Sequence, residues 1–158
     1  MVETATKKSL IDPEAFAMEA SRRLNRLDTG NIVGNREVYT KYKQIIALIE
    51  KSAQAYGLAD DKAKSEKFWD VAGKMYLDIL IGETIRGANS MTSIEEKTET
   101  IMKGVKAAKN SNNLTLVANI GYFAKGILTL HKGFAGSADE KLDREVVDAL
   151  SEIRKLKR

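Results

Sequence analysis

A single proline in 158 residues, and almost no stretch where apolar and polar positions alternate, leave the α-helix as the only regular structure open to most of this chain. Pro13 follows Asp12, which pairs an N-cap residue with proline at the first helical position, where a missing N–H costs nothing. Phe16, Ala20, Leu24 and Leu27 then recur at helical spacing until Asp28-Thr29-Gly30 stops them. A short, flexible loop from Gly30 to Gly34 is expected before Asn35 caps the next helix. That helix carries Val38, Tyr42, Ile45, Ile49, Ala53 and Tyr56 on one stripe and ends at Gly57. Asp60 and Asp61 open a third helix with negative charge in its first turn, and Phe68, Val71, Ala72, Met75, Leu77, Ile79 and Leu80 carry it towards Gly87.

Ser93-Ile94-Glu95-Glu96 is a capping-box pattern. It starts a fourth helix with Ile94, Thr98, Ile101, Val105 and Ala108 on one stripe, broken at Asn110 to Asn113. The segment 113–132 is apolar nearly all round, the pattern of a buried central helix. Ser137-Ala138-Asp139-Glu140 repeats the capping box, and Leu142, Val146, Ala149, Leu150 and Ile153 mark a last helix over 138–156. Six helices over roughly three quarters of the chain far exceed the usual third. No repeat of fixed period argues for a solenoid. The expectation is all-α: one compact bundle of about six helices over 1–158, with a flexible N-terminal segment 1–11, a nearly all-apolar central helix and a basic tail 154–158.

The composition removes chemistry. With no cysteine there is no disulfide framework, no thiolate catalysis and no zinc site built on Cys; one histidine excludes His-rich metal sites. No run of about 18 apolar residues offers a membrane span, and residues 1–12 lack a signal-peptide core. A cytoplasmic chain without cofactors is expected. His131 falls in the last turn of the fifth helix, where partial positive charge suits the helix end, and no partner stands at a spacing that implies catalysis. Glu83, near Asp78 and Arg86, is expected to make a solvated ion pair with Arg86 rather than a carboxylate pair for acid–base work. The expectation is a protein that is not an enzyme.

What remains is charge. The total is only +4, with 26 Lys+Arg against 22 Asp+Glu, but the cations cluster. Arg22, Arg23 and Arg26 share one side of the first helix, and Arg36, Lys41 and Lys43 surround the start of the second. Lys103, Lys106 and Lys109 form a strip on the fourth, and Arg154, Lys155, Lys157 and Arg158 end the chain. Each cluster alone fits a solvated face; together they fit a phosphate backbone bound with salt-dependent affinity and little sequence preference. Tyr39, off the apolar stripe, is the best candidate to stack on a base, while Phe68 and Trp69 read as core. The glycine-flanked loop Gly30 to Arg36 opens a helix whose amides suit an anion, yet it lacks the Gly-Lys-Ser/Thr of a P-loop. Gly121 and Gly126 suggest close helix approach in the fifth helix.

The region 91–134, with Ile94, Ile101 and Met102 followed by NIGYFAKGILTLHKGF at 119–134, resembles the C-terminal part of the small helical subunit of type III CRISPR–Cas effector complexes. The stretch Leu24 to Ile32 followed by the Tyr39–Ile49 helix is similar in kind to that family's first block. The resemblance covers about half of the chain. It implies a non-catalytic subunit that contacts guide and target RNA backbone through basic residues and packs against other subunits of a ribonucleoprotein. Here Ile85-Arg86-Gly87 matches the family's arginine-containing helix end only loosely, and the helix 138–156 is extra. The expected contacts are Arg22, Arg23, Arg26, Arg36, Lys41, Lys103, Lys106 and Lys109. A self-assembling helical coat, scaffold or nucleocapsid protein, or a protein–protein adaptor, is the alternative, and a small enzyme using Glu83, Asp78 or His131 is a further rival.

Overall fold

The structure, a computed structural model, describes residues 12–129 and Arg144. The described residues hold five α-helices where the sequence predicts six: α1 (Pro13–Asn25), α2 (Arg36–Leu58), α3 (Lys62–Arg86), α4 (Ile94–Asn110) and α5 (Leu114–Thr129). The predicted helix 138–156, His131, the N-terminal segment 1–11 and the tail 154–158 lie outside the described residues. None of the described helices is long and apolar enough to cross a membrane.

The helix starts follow the capping chemistry. The Asp12 carboxyl accepts from the Glu14 N–H at 3.0 Å, and the Asn35 amide oxygen accepts from Glu37 and Val38 at 3.0 and 3.3 Å. Ser93 and Glu96 complete a reciprocal capping box at the start of α4. The α2–α3 and α3–α4 turns use positive φ at Asp60 and Gly87, and the α4–α5 turn at Asn112. Asn112 and Asn113, which break the helical pattern, also hold that turn down, donating to Glu66 and Asp70 of α3 at 2.8 and 2.7 Å.

Packing is organised around α3. One apolar cluster joins α1, α2 and α3 through Ile45, Ile46, Tyr76 and Ile79; a second joins α3, α4 and α5 through Leu80, Ile101, Val105, Val117 and Ile120. Adjacent residues Ile79 and Leu80, both fully buried, therefore serve different cores. That two-sided burial explains why α3 is so heavily apolar, and it displaces the expected central helix. Among the described residues α3, not α5, takes the central place: α5 buries Leu116, Val117, Ile120, Ala124 and Ile127 on α3 and α4 and leaves Tyr122 77% exposed.

Small residues let α3 and α4 approach. A Cβ on Gly104 would stand 3.2 Å from Tyr76 Cβ and 3.3 Å from Ile120 Cδ1. Gly126 differs: it is exposed and a Cβ there meets nothing within 4 Å, so close helix approach does not account for it. The loop before α2 is also not the flexible connector expected. Its Ile32–Gly34 turn buries Ile32 and Val33, and the Val33 carbonyl accepts from the Met91 N–H at 2.9 Å. Two substitutions separate these roles. Gly104→Leu should cost about 1–3 kcal/mol by overpacking, whereas Gly126→Ala should stabilise by about 0.5–1 kcal/mol through helix propensity. Urea unfolding of the two variants checks both signs.

Candidate nucleic-acid interface

The outward face of α2 carries two adjoining clefts. The first, about 300 Å³, lies where the end of α1 crosses α2: Arg23, Arg26 and Leu27 come from the first chain segment, and Lys41, Gln44 and Ile45 from α2. Its apolar surface is the half-buried Leu27, with Ile45 buried behind it, and three cations complete the lining. The second, about 280 Å³, faces α4 and includes Arg36, Tyr39, Lys43 and Glu96. Gln44 lines both, so the clefts form one continuous surface. Helical spacing explains the arrangement. Thr40, Gln44 and Ala47 stand one turn apart along the solvent-facing ridge of α2, all three exposed, with cations flanking them.

Of the eight residues predicted as contacts, the structure brings Arg23, Arg26 and Lys41 into the first cleft and Arg36 into the second. Arg22 sits beside Arg23, both bound to Glu19 at 2.7 and 2.9 Å. Lys103 joins the second cleft indirectly, since Glu99 holds it at 2.8 Å and Lys43 at 3.5 Å. Lys106 is exposed on the same side of α4, and its charge acts on Glu50. Lys109 sits half-buried in the last turn of α4, in neither cleft. Lys43, counted with the second-helix cluster but not among the expected contacts, belongs to the second cleft.

Most of these cations are held by carboxylates. Lys41 pairs with Glu37 at 2.8 Å, and Arg36 makes a two-pronged contact with Glu96 at 2.5 and 3.1 Å. The Arg36 guanidinium holds the Glu96 carboxyl down at about 2, with help from the Ser93 cap. Hydrogen bonds from Arg23 and Lys41 likewise lower Glu19 and Glu37. Arg26 and Lys106 make no ion pair among the described residues.

Tyr39 is not available for stacking on a base. It is 1% exposed, its ring lying 5.4 Å from the Arg36 guanidinium and 5.3 Å from the Lys43 ammonium. Its hydroxyl is buried and finds no partner in hydrogen-bonding geometry; the neighbouring Thr100 hydroxyl donates to the Glu96 carbonyl at 3.0 Å. Burial pushes that phenol above its usual range. The helical angle of Tyr39 puts it against α4 rather than in solvent, and only the placement of α4 decides this. The anion site expected at the start of α2 is also closed, since Asn35 already occupies the amides of Glu37 and Val38.

The acid–base candidates separate. Asp78 accepts weakly from the Tyr42 hydroxyl at 3.4 Å on one side of α3, and burial raises its carboxyl. Glu83 points inward on another side and is 2% exposed, so the expected solvated pair with Arg86 does not form. Glu83 instead accepts from the Ser90 and Thr92 hydroxyls and lies 3.9 Å from the Lys97 ammonium, which donates to the Thr92 carbonyl at 2.6 Å. This node ties the α3–α4 connection to both helices. The sequence signal was present: Glu83 and Lys97 each interrupt an apolar face, on consecutive helices. Among the described residues, no group of three or more acidic, His or Cys side chains is placed to hold a metal ion.

Comparison with protein-family models, curated proteins and solved structures finds no match. These comparisons neither support nor refute the resemblance seen in residues 24–49 and 91–134.

The ion pairs set two expected outcomes. Glu83→Leu strands the Lys97 charge and should cost about 3–5 kcal/mol. Adding Lys97→Met should recover part of that loss, and a double variant less stable than the single one in urea would contradict the pairing. Glu96 contributes through a folded-state value of about 2 against the ordinary 4.5, so its stabilisation is complete above pH 4.5 and drains as pH falls towards 2. Glu96→Gln keeps a capping side chain and removes the charge. Its melting temperature should lie below that of the unmodified chain at neutral pH and converge with it in acid.

Proposed function

We propose that this chain is a non-enzymatic helical module that holds RNA by its phosphate backbone along the outer face of α2, as one subunit of a larger ribonucleoprotein. The observation that carries the reading is the continuity of the two clefts through Gln44, which gathers Arg23, Arg26, Lys41, Arg36 and Lys43 from separate stretches of sequence onto one surface. Cations on neighbouring helices can follow a strand of phosphates, and long side chains held by exposed carboxylates can exchange those partners for phosphate at little cost. The acids also keep the surface from binding every polyanion strongly. Membership of a CRISPR–Cas-like complex is what the resemblance in residues 91–134 implies. Exposed apolar side chains such as Tyr122 and Ile85 offer the faces on which other subunits would pack.

The test is fluorescence anisotropy with a labelled RNA of about 20 nucleotides, titrated between about 50 and 200 mM salt. Binding should weaken linearly on a log–log scale. Arg23→Glu, Arg26→Glu and Lys41→Glu together should reduce affinity at least tenfold. They should also flatten the slope by roughly two, because each phosphate left unneutralised takes about 0.7 from it. Absent binding, or binding indifferent to salt and to the triple variant, removes the reading. Filaments formed without RNA would favour the coat or scaffold alternative.

A further inference from the structure

The first cleft differs from a surface built only for phosphates. Phosphate contacts need donors and positive charge, and an apolar floor adds nothing to them. Here the half-buried Leu27 supplies such a floor beside Arg23, Arg26 and Lys41, with Gln44 shared with the second cleft. From these features we infer that the cleft between the end of α1 and the middle of α2 receives one unpaired base of the bound strand, so that the interface selects single-stranded over duplex RNA. The inference rests on the RNA reading above and specifies the form of RNA.

Each part of a nucleotide has a counterpart. The flat apolar faces of a base match the half-buried Leu27 and the plane of an arginine guanidinium, which stacks on bases. The polar edge of a base presents donors and acceptors together, and a primary amide such as Gln44 offers both. The phosphates flanking that base meet the rim cations, and Arg26, which makes no ion pair among the described residues, needs no carboxylate displaced before it can engage one. The second cleft is less suited to a base. Glu96 stands in its wall and holds Arg36 at 2.5 Å, so it fits the neighbouring backbone instead. In A-form duplex the bases are stacked and paired, and side chains do not reach them through the deep, narrow major groove; a single strand can turn a base out.

The experiment uses the full chain and two probes: a mixed-sequence RNA of about 12 nucleotides, alone and annealed to its complement, compared by anisotropy at about 50 mM salt. The single strand should bind about tenfold more tightly. Gln44→Ala, at an exposed position that the fold does not need, should cut that preference threefold or more and leave the salt slope unchanged. A strand carrying 2-aminopurine should brighten on binding as the base leaves its neighbours, and brighten less with Gln44→Ala. Equal affinity for the two probes, or a preference for duplex, overturns the inference while leaving backbone binding intact. A preference untouched by Gln44→Ala overturns the assignment to this cleft. If neither probe binds, the RNA reading falls first and this inference with it.

Discussion

Among the described residues, packing is referred to α3, a helix that has to bury two faces at once. Ile79 and Leu80, one residue apart, feed separate apolar clusters, so α2, with α1 packed on it, lies on one flank and α4 and α5 on another. A helix loaded in this way has little surface left for water. Between residues 68 and 83 only Lys74 and Asp78 are exposed, while the first turns and the last turn, with Thr84 and Ile85, reach solvent. The arrangement also sets where function can sit. With the middle of α3 enclosed, the exposed helical ridge nearest the cations is that of α2; α4 comes alongside it because both pack on α3, and α1 packs on α2 directly.

The electrostatics divide by depth. Inside, Glu83 and Lys97 are both nearly inaccessible, and hydrogen bonds from Ser90 and Thr92 and to the Thr92 carbonyl satisfy them. Such a node adds little net stability over an apolar substitute, yet breaking one side of it is costly; its effect is to specify how the α3–α4 connection lies. Outside, the pairs between Glu19, Glu37, Glu96 or Glu99 and their basic partners are solvent-exposed and individually weak. Weak pairs suit a binding surface, because each holds a long side chain near its working position and yields to a better anion.

Much of the fold is legible in the residues themselves. Asp12-Pro13, Asn35, Ser93 with Glu96, and the Asn110–Asn113 break mark helix ends that the structure reproduces, since capping depends on neighbours within four residues. The candidate site was legible only as charge clusters. That Arg23 and Arg26 share a cleft with Lys41, while Lys109 is left out, depends on which helix crosses which, and spacing along one helix carries no such information. Tyr39 makes the point most plainly. Its position off the α2 stripe suggests exposure, but a second helix packs on that side and buries it.

Local rules thus determined that this chain is helical and where its described helices begin and end, and composition that it has no cysteine and one histidine. Tertiary structure alone decided which helix is central, that Glu83 meets Lys97 instead of water, and that separate basic clusters converge on α2. The physical reason is range. Capping and helical periodicity act over a few residues, whereas burial and charge convergence are properties of surfaces that exist only after distant helices have packed.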